Sequence, residues 1–131
     1  MAREFIMPGR IISGIKALNM AEAALGRMGK KAMIVTDEGV AYTVYDGVTG
    51  EPTDQMVEAG VAKYRSEGCD FLVALGGGSP IDTMKAIGSL VLNDVGIASY
   101  MGKEIHVQMP PMAAIPTTAG TGSEATQFTI I

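Results

Sequence analysis

Apolar residues along this chain change their spacing several times, and each change marks an element. Phe5-Ile6-Met7 and Ile11-Ile12 flank Pro8-Gly9, which predicts two short extended pieces about a turn. From Ile15 to Met28 the apolar positions (Ile15, Leu18, Met20, Leu25, Met28) fall at helical spacing, with Gly29 as the stop. Ala32-Met33-Ile34-Val35-Thr36 is a short apolar run with β-branched members, the pattern of a buried strand. Ala41 to Tyr45 reads as another strand, ended by Asp46-Gly47. Thr53 then stands as an N-cap for a helix reaching about Glu67, closed by Gly68. That helix turns Met56, Val57, Val61 and Tyr64 to one side and leaves Glu58, Lys63 and Arg65 to water.

Phe71-Leu72-Val73-Ala74-Leu75 is apolar throughout, as a central parallel strand covered on both faces must be. Gly76-Gly77-Gly78 follows, and Ser79-Pro80-Ile81-Asp82 opens a helix to about Leu92. Asn93 to Val107 is mostly loop, Met112-Ala113-Ala114-Ile115 a further buried strand, and Thr126 to Ile131 is expected to be extended again. Strand and helix alternate, so the fold class is α/β, a Rossmann-like, mainly parallel sheet with flanking helices. One link is too short. Only Asp37-Glu38-Gly39-Val40 separates the strand ending at Thr36 from the next, whereas a parallel crossover takes a dozen residues or more. Either these strands form an antiparallel hairpin, or a connecting helix is missing near 40/41. The second reading is preferred, because residues 37–40 look like a helix start cut short.

Composition narrows the classes. The chain has 131 residues, 47% hydrophobic and 18% charged, enough for one domain with a proper core. Seventeen glycines, no Trp and 5% aromatics give an aliphatic core with glycine-rich loops. A net charge of −4 argues against nucleic acid or an anionic membrane surface as partner. No apolar run reaches the length of a bilayer span, and Met1-Ala2-Arg3-Glu4 lacks a signal-peptide core, so a cytoplasmic location is expected. The single Cys69 fits a reducing compartment and is read as inert packing.

The chemistry concentrates in Gly76-Gly77-Gly78-Ser79-Pro80. Glycines let a bulky anion approach the backbone, successive N–H groups form a nest, and the helix N-terminus behind them carries partial positive charge. Ser79 can cap the helix or donate to a phosphate oxygen, Pro80 suits its first position, and Asp82 completes a capping-box-like pattern. Together these point to a pyrophosphate site at the carboxyl end of a strand, against a tight turn that binds nothing. Lys85 lies too far along the helix for a P-loop lysine and is read as a surface residue or a partner of Asp82. Gly120-Thr121-Gly122-Ser123-Glu124-Ala125 matches G-x-G-x-x-A but opens no expected helix, so the dinucleotide fingerprint is rejected there. The loop Thr117-Thr118-Ala119-Gly120-Thr121 either offers small donors to a polar ligand or is a Ser/Thr turn. Asp37, ending a strand, either accepts from a ribose 2′-OH or caps a helix. His106 is the only histidine and alone makes neither a zinc site nor a triad.

Two long motifs in order, Gly76-Gly77-Gly78-Ser79-Pro80-Ile81-Asp82-Thr83-Met84-Lys85-Ala86 and Ala114 through Glu124, closely resemble the iron-dependent (group III) alcohol dehydrogenase family. Val35-Thr36-Asp37 and Asp46-Gly47-Val48 with Glu51-Pro52-Thr53 resemble its N-terminal pattern. The resemblance implies a dinucleotide-binding domain over residues 1–131, with Gly77, Gly78 and Ser79 on the pyrophosphate and Asp82 nearby. Asp37 would sit by the adenosine ribose and favour NAD over NADP. Thr117, Thr118 and Thr121, with Thr126 and Phe128, would line the adenine and nicotinamide ends. The implied activity is hydride transfer between NAD and a small primary alcohol or aldehyde on a divalent metal, iron or zinc. In that family an aspartate and histidines of a helical second domain bind the metal; this sequence holds no such domain, and His106 matches none of its ligands. The chain is accordingly expected to be part of a larger protein, a homo-oligomer, and inactive alone. The rivals are a glycerol dehydrogenase or dehydroquinate synthase relative, against which Ser79-Pro80 and the Thr117–Ser123 loop argue, and a non-catalytic nucleotide-binding or assembly module pairing through Phe5–Ile12.

Overall fold

A computed structural model describes residues 8–37, 45–126 and 129–131. In chain order the elements are helix α1 (Ala17–Leu25), strand β1 (Ala32–Asp37), β2 (Tyr45–Val48), helix α2 (Asp54–Glu67), β3 (Phe71–Gly76), helix α3 (Gly78–Leu90), a 3₁₀ turn (Ile97–Tyr100) and β4 (Met112–Pro116). The four strands form one sheet in the order β2-β1-β3-β4, with every neighbouring pair parallel. The expected α/β class is therefore observed. The hairpin alternative is excluded, since β1 and β2 run parallel with Val35 beside Tyr45 and Asp37 beside Val48.

Register sorts the sheet's side chains by face. Met33, Val35, Leu72, Ala74, Met112 and Ala114 point to the side where α2 and α3 bring Val57, Tyr64, Ile81, Met84, Ile87 and Leu90, and this is the core. Both helices lie on one face for a topological reason. The steps β2 to β3 and β3 to β4 run in the same direction across the sheet, and right-handed crossovers in one direction share a face. β3 is central, and Phe71 to Ala74 are all buried. Burial also pushes the thiol of Cys69, packed at the core's edge, above its ordinary value, in keeping with an inert role.

The helix on Thr53 forms as expected. The Thr53 hydroxyl accepts the Met56 amide, and Gly68 turns the chain away at φ 62°. Arg65 is not simply solvated: its guanidinium donates to the carbonyls of Leu90, Val91 and Asn93, tying α2 to the end of α3. Three expectations need correction. α1 is shorter than Ile15–Met28, running from a left-handed Lys16 to Gly26, and buries none of its residues; Ile15 is 97% exposed. The second strand continues through Asp46-Gly47 to Val48 instead of ending there, held by β1 alongside. Thr126 and residues 129–131 form no strand, because the Ala125 and Thr126 amides turn back to the Gly122 carbonyl and Thr129 is drawn onto α3. The expectations at Phe5–Met7, at residues 41–44 and at Phe128 lie outside the described residues.

Candidate functional site

The carboxyl ends of β1, β3 and β4 bring Asp37, Gly76 and Pro116 to the same edge of the sheet, and each leads into one of the segments singled out by sequence. β3 ends in a sharp departure. Gly76 has φ 151°, and a Cβ there would lie 2.7 Å from Pro80 Cγ and 2.8 Å from Asp37 Oδ2. Neither the conformation nor the space admits a side chain, so this glycine builds the corner. It also records that the Asp37 carboxylate, exposed at the end of β1, stands against the start of the glycine turn.

The next two glycines do something else. Gly77 is the N-cap of α3 and Gly78 its first residue, and no side chain caps that end. Ser79 therefore is not the cap: it lies inside the first turn, its carbonyl accepting the Thr83 hydroxyl at 2.8 Å. Pro80 is accordingly the third helical residue, still within the turn whose N–H groups have no intrahelical acceptor. Asp82 forms no capping box. It is 8% exposed, with one carboxylate oxygen 3.3 Å from Lys85 Nζ and the other accepting the Ser123 hydroxyl at 3.3 Å. The amide-rich end of α3 is thus left to whatever enters the crevice, with a partial positive charge behind it.

The hydroxyl-rich loop after β4 closes the other side. The Thr117 amide donates to the Gly76 carbonyl at 2.9 Å, carrying the β3–β4 ladder one step past the strand ends. Thr118 Oγ1 is 3.2 Å from the Cβ position of Gly77, and Thr121 Cγ2 and Ser123 Oγ are 3.1 and 3.3 Å from that of Gly78. Thr126 accepts from Lys85 Nζ at 3.1 Å. The structure therefore brings Asp37, Gly77, Gly78, Ser79, Thr117, Thr118 and Thr121 together at one edge of the sheet; Asp82 and Thr126 lie behind them in the bonds between the loop and α3. The sequence carries no sign of Ser123 or Thr129, while of the two readings of Lys85 the pairing with Asp82 is the one that forms. The three-residue step from Asp82 to Lys85 was a readable signal, whereas nothing local to Ser123 announces a partner forty-one residues away. An open cleft of about 2390 Å³ beside α1 and β4 takes in Lys85 and Thr126, whereas Asp37 and Gly76–Gly78 are not among its lining residues.

A parallel sheet with a helix N-terminus, a glycine corner and a strand-end carboxylate at the carboxyl edge of its strands defines the doubly wound class of α/β domain. The match to the iron-containing alcohol dehydrogenase profile runs over residues 8–131, and the chain belongs to that family. It is 36% identical to the NAD-dependent methanol dehydrogenase of Bacillus methanolicus in an alignment covering 100% of this chain and 39% of that protein. That alignment spans 151 positions against 131 residues here, leaving at least twenty residues of the relative without a counterpart. The crystal structure of a 1,3-propanediol oxidoreductase superposes with a TM-score of 0.90 at 32% identity, over 97% of this chain and 38% of that one. Sulfoacetaldehyde reductase from Bifidobacterium kashiwanohense, solved in complex with NAD+, gives 0.81 at 32% identity, over 96% and 39%. The chain spans from 29% to 39% of the length of curated relatives it matches.

Proposed function

We propose that this chain is the cofactor-binding part, residues 1–131, of an NAD-dependent, metal-dependent alcohol dehydrogenase that interconverts small primary alcohols and aldehydes. The observation that carries the reading is the uncapped start of α3 at Gly77-Gly78, with Asp37 at the same crevice. In it the Gly77 and Gly78 amides and Ser79 hold the pyrophosphate, because a Cβ at either glycine would crowd the loop across the crevice. Asp37 accepts from the adenosine ribose and repels a 2′-phosphate. Thr117, Thr118 and Thr121 supply the opposite wall, continued by Thr126 and Phe128. Bound NAD supplies the hydride acceptor, and these residues position it.

The metal is a separate matter. Among the described residues no three His, Cys, Asp or Glu side chains gather to hold one, so no step is derived through a metal on this chain. We assign the metal ligands to the remainder of the longer protein, and a crossover segment between β1 and β2 likewise. Self-association is a second element of the reading, favoured by the exposure of Ile15, Leu18 and Met20 on and beside α1.

Calorimetry with NAD, ADP-ribose and NADP tests the site. NAD and ADP-ribose bind, NADP binds about tenfold more weakly, and Asp37→Ser narrows that gap. No heat from either NAD or ADP-ribose rules the reading out.

A further inference from the structure

Where α3 crosses the start of β4, the helix brings no side chain and the strand brings a thioether. A Cβ at Gly88 would lie 2.6 Å from Met112 Sδ, 3.5 Å from Met112 Cε and 3.5 Å from Leu72 Cδ1. The sulfur is therefore seated against bare helix backbone, with Leu72, the residue paired with Met112 across the strands, beside it. Gly88 is itself buried, so this contact sets how closely helix and sheet approach. An unbranched, polarisable side chain fills such a notch without needing a polar partner.

Met112 stands between two other kinds of methionine. Met33 and Met84 are each 3% exposed within the core, whereas Met20 and Met101 stand in water at 70% and 81%. Met112 packs against the core on one side and lines the open cleft beside α1 on the other. A peroxide that enters the cleft reaches a sulfur on which packing depends. The sulfur lone pair takes one oxygen: an S–O bond forms, the O–O bond breaks, and the second oxygen leaves as water. The sulfoxide cannot keep the old seat, because its S–O dipole is strongly hydrated and the notch is apolar. Turning the oxygen out to the cleft withdraws the sulfur from Gly88 and leaves a void. Holding the sulfur in place drives the oxygen against α3 or Leu72. Either way the joint loosens.

We propose that Met112 is a reversible oxidation site, at which hydrogen peroxide converts the thioether to the sulfoxide and thereby loosens the packing of α3 on β4. The site is separate from the proposed cofactor crevice and does not rest on that reading. Methionine sulfoxide reductase, drawing on a thiol reductant, returns the thioether and reseats it.

Timed treatment of the full chain with hydrogen peroxide, followed by peptide mass spectrometry, tests the site. Met112 oxidises after Met20 and Met101 and before Met33 and Met84. While Met112 converts, the thermal midpoint falls by about 5 °C. Over the same interval the amides of Leu72 and Val91, bonded to the Pro111 and Ile87 carbonyls, exchange about tenfold faster. Incubation with methionine sulfoxide reductase and a thiol reverses both changes. Met112→Leu, close in volume and without sulfur, keeps its midpoint under the same treatment although Met20 and Met101 still oxidise. If that variant does not fold, the time course of the unmodified chain decides. A midpoint that falls with Met20 and Met101, or does not move as Met112 converts, overturns the proposal. So does a Met112 that stays reduced until Met33 and Met84 react, or an equal fall in Met112→Leu.

Discussion

Gly76 and Gly77 are neighbours with different obligations, and substitution separates them. An Ala at 76 meets a left-handed φ of 151° and two atoms under 3 Å away, one of them in the rigid Pro80 ring. Gly76→Ala is expected to lower stability by about 1–3 kcal/mol, read as a lower urea midpoint. At Gly77 the φ is an ordinary −83° and the nearest obstacle is the Thr118 hydroxyl at 3.2 Å, which can rotate away. Gly77→Ala is expected to leave stability within about 1 kcal/mol and to weaken NAD binding if the proposed pyrophosphate site is right, since its new methyl would stand at that site. Equal losses of stability at both positions would remove the distinction between a corner glycine and a ligand glycine. The triplet itself was legible because three adjacent glycines between a strand and a helix have few other uses. Which glycine does what was not, since it depends on Asp37 arriving from another strand. The same holds for the cap: Ser79 has the right chemistry for it, but the chain turns helical two residues too early.

Elements were legible where local signals and tertiary burial coincide. In α2, Thr53, Asp54 and Gly68 mark the ends and Val57, Gly60 and Tyr64 find the core, so pattern and packing agree. In α1 the spacing alone promises an apolar face, yet among the described residues no element buries it, and the helix shrinks to the stretch its own hydrogen bonds sustain. Joints between elements leave less trace in sequence. Asp70, just before β3, accepts from the amides of Lys30 and Lys31 ahead of β1, and these bonds hold its carboxyl below the ordinary 3.8. Lys31 likewise holds Glu67 at the end of α2 below 4.5. A carboxylate depressed on folding contributes stability above its unfolded value and loses it as pH falls through the folded one. The thermal midpoint is therefore expected to fall as pH drops below about 4, and Asp70→Asn to flatten that fall. Melts across the acid range check this. An Asp70→Asn chain with an undiminished acid slope would show that the joint does not couple protonation to folding.

At the scale of the whole molecule the sheet is lopsided. α2 and α3 cover one face, while on the other Ile34, Leu75 and Ile115 are only partly buried beside the buried Thr36, Phe71 and Val73. Topology explains the asymmetry. The step from β1 to β2 runs opposite to the two later crossovers, so a right-handed helical connection there would lie on the second face. Seven residues, 38–44, separate these strands, fewer than a parallel crossover ordinarily takes, and the methanol dehydrogenase has at least twenty more residues in the aligned region. Sequence spacing alone exposed the short link, because crossover length is a geometric requirement that no composition can disguise. It preferred a missing helix to a hairpin only on the look of residues 37–40; the parallel register of Val35 with Tyr45 is what excludes the hairpin. If Ile34, Leu75 and Ile115 are only partly buried for want of that segment, restoring one should add apolar burial. Inserting a twenty-residue amphipathic helix between Val40 and Ala41 is expected to raise the thermal midpoint and reduce the binding of a hydrophobic dye. A lower midpoint with unchanged dye binding would mean that the short link is native to this sheet and that Ile34, Leu75 and Ile115 are already as covered as the fold requires.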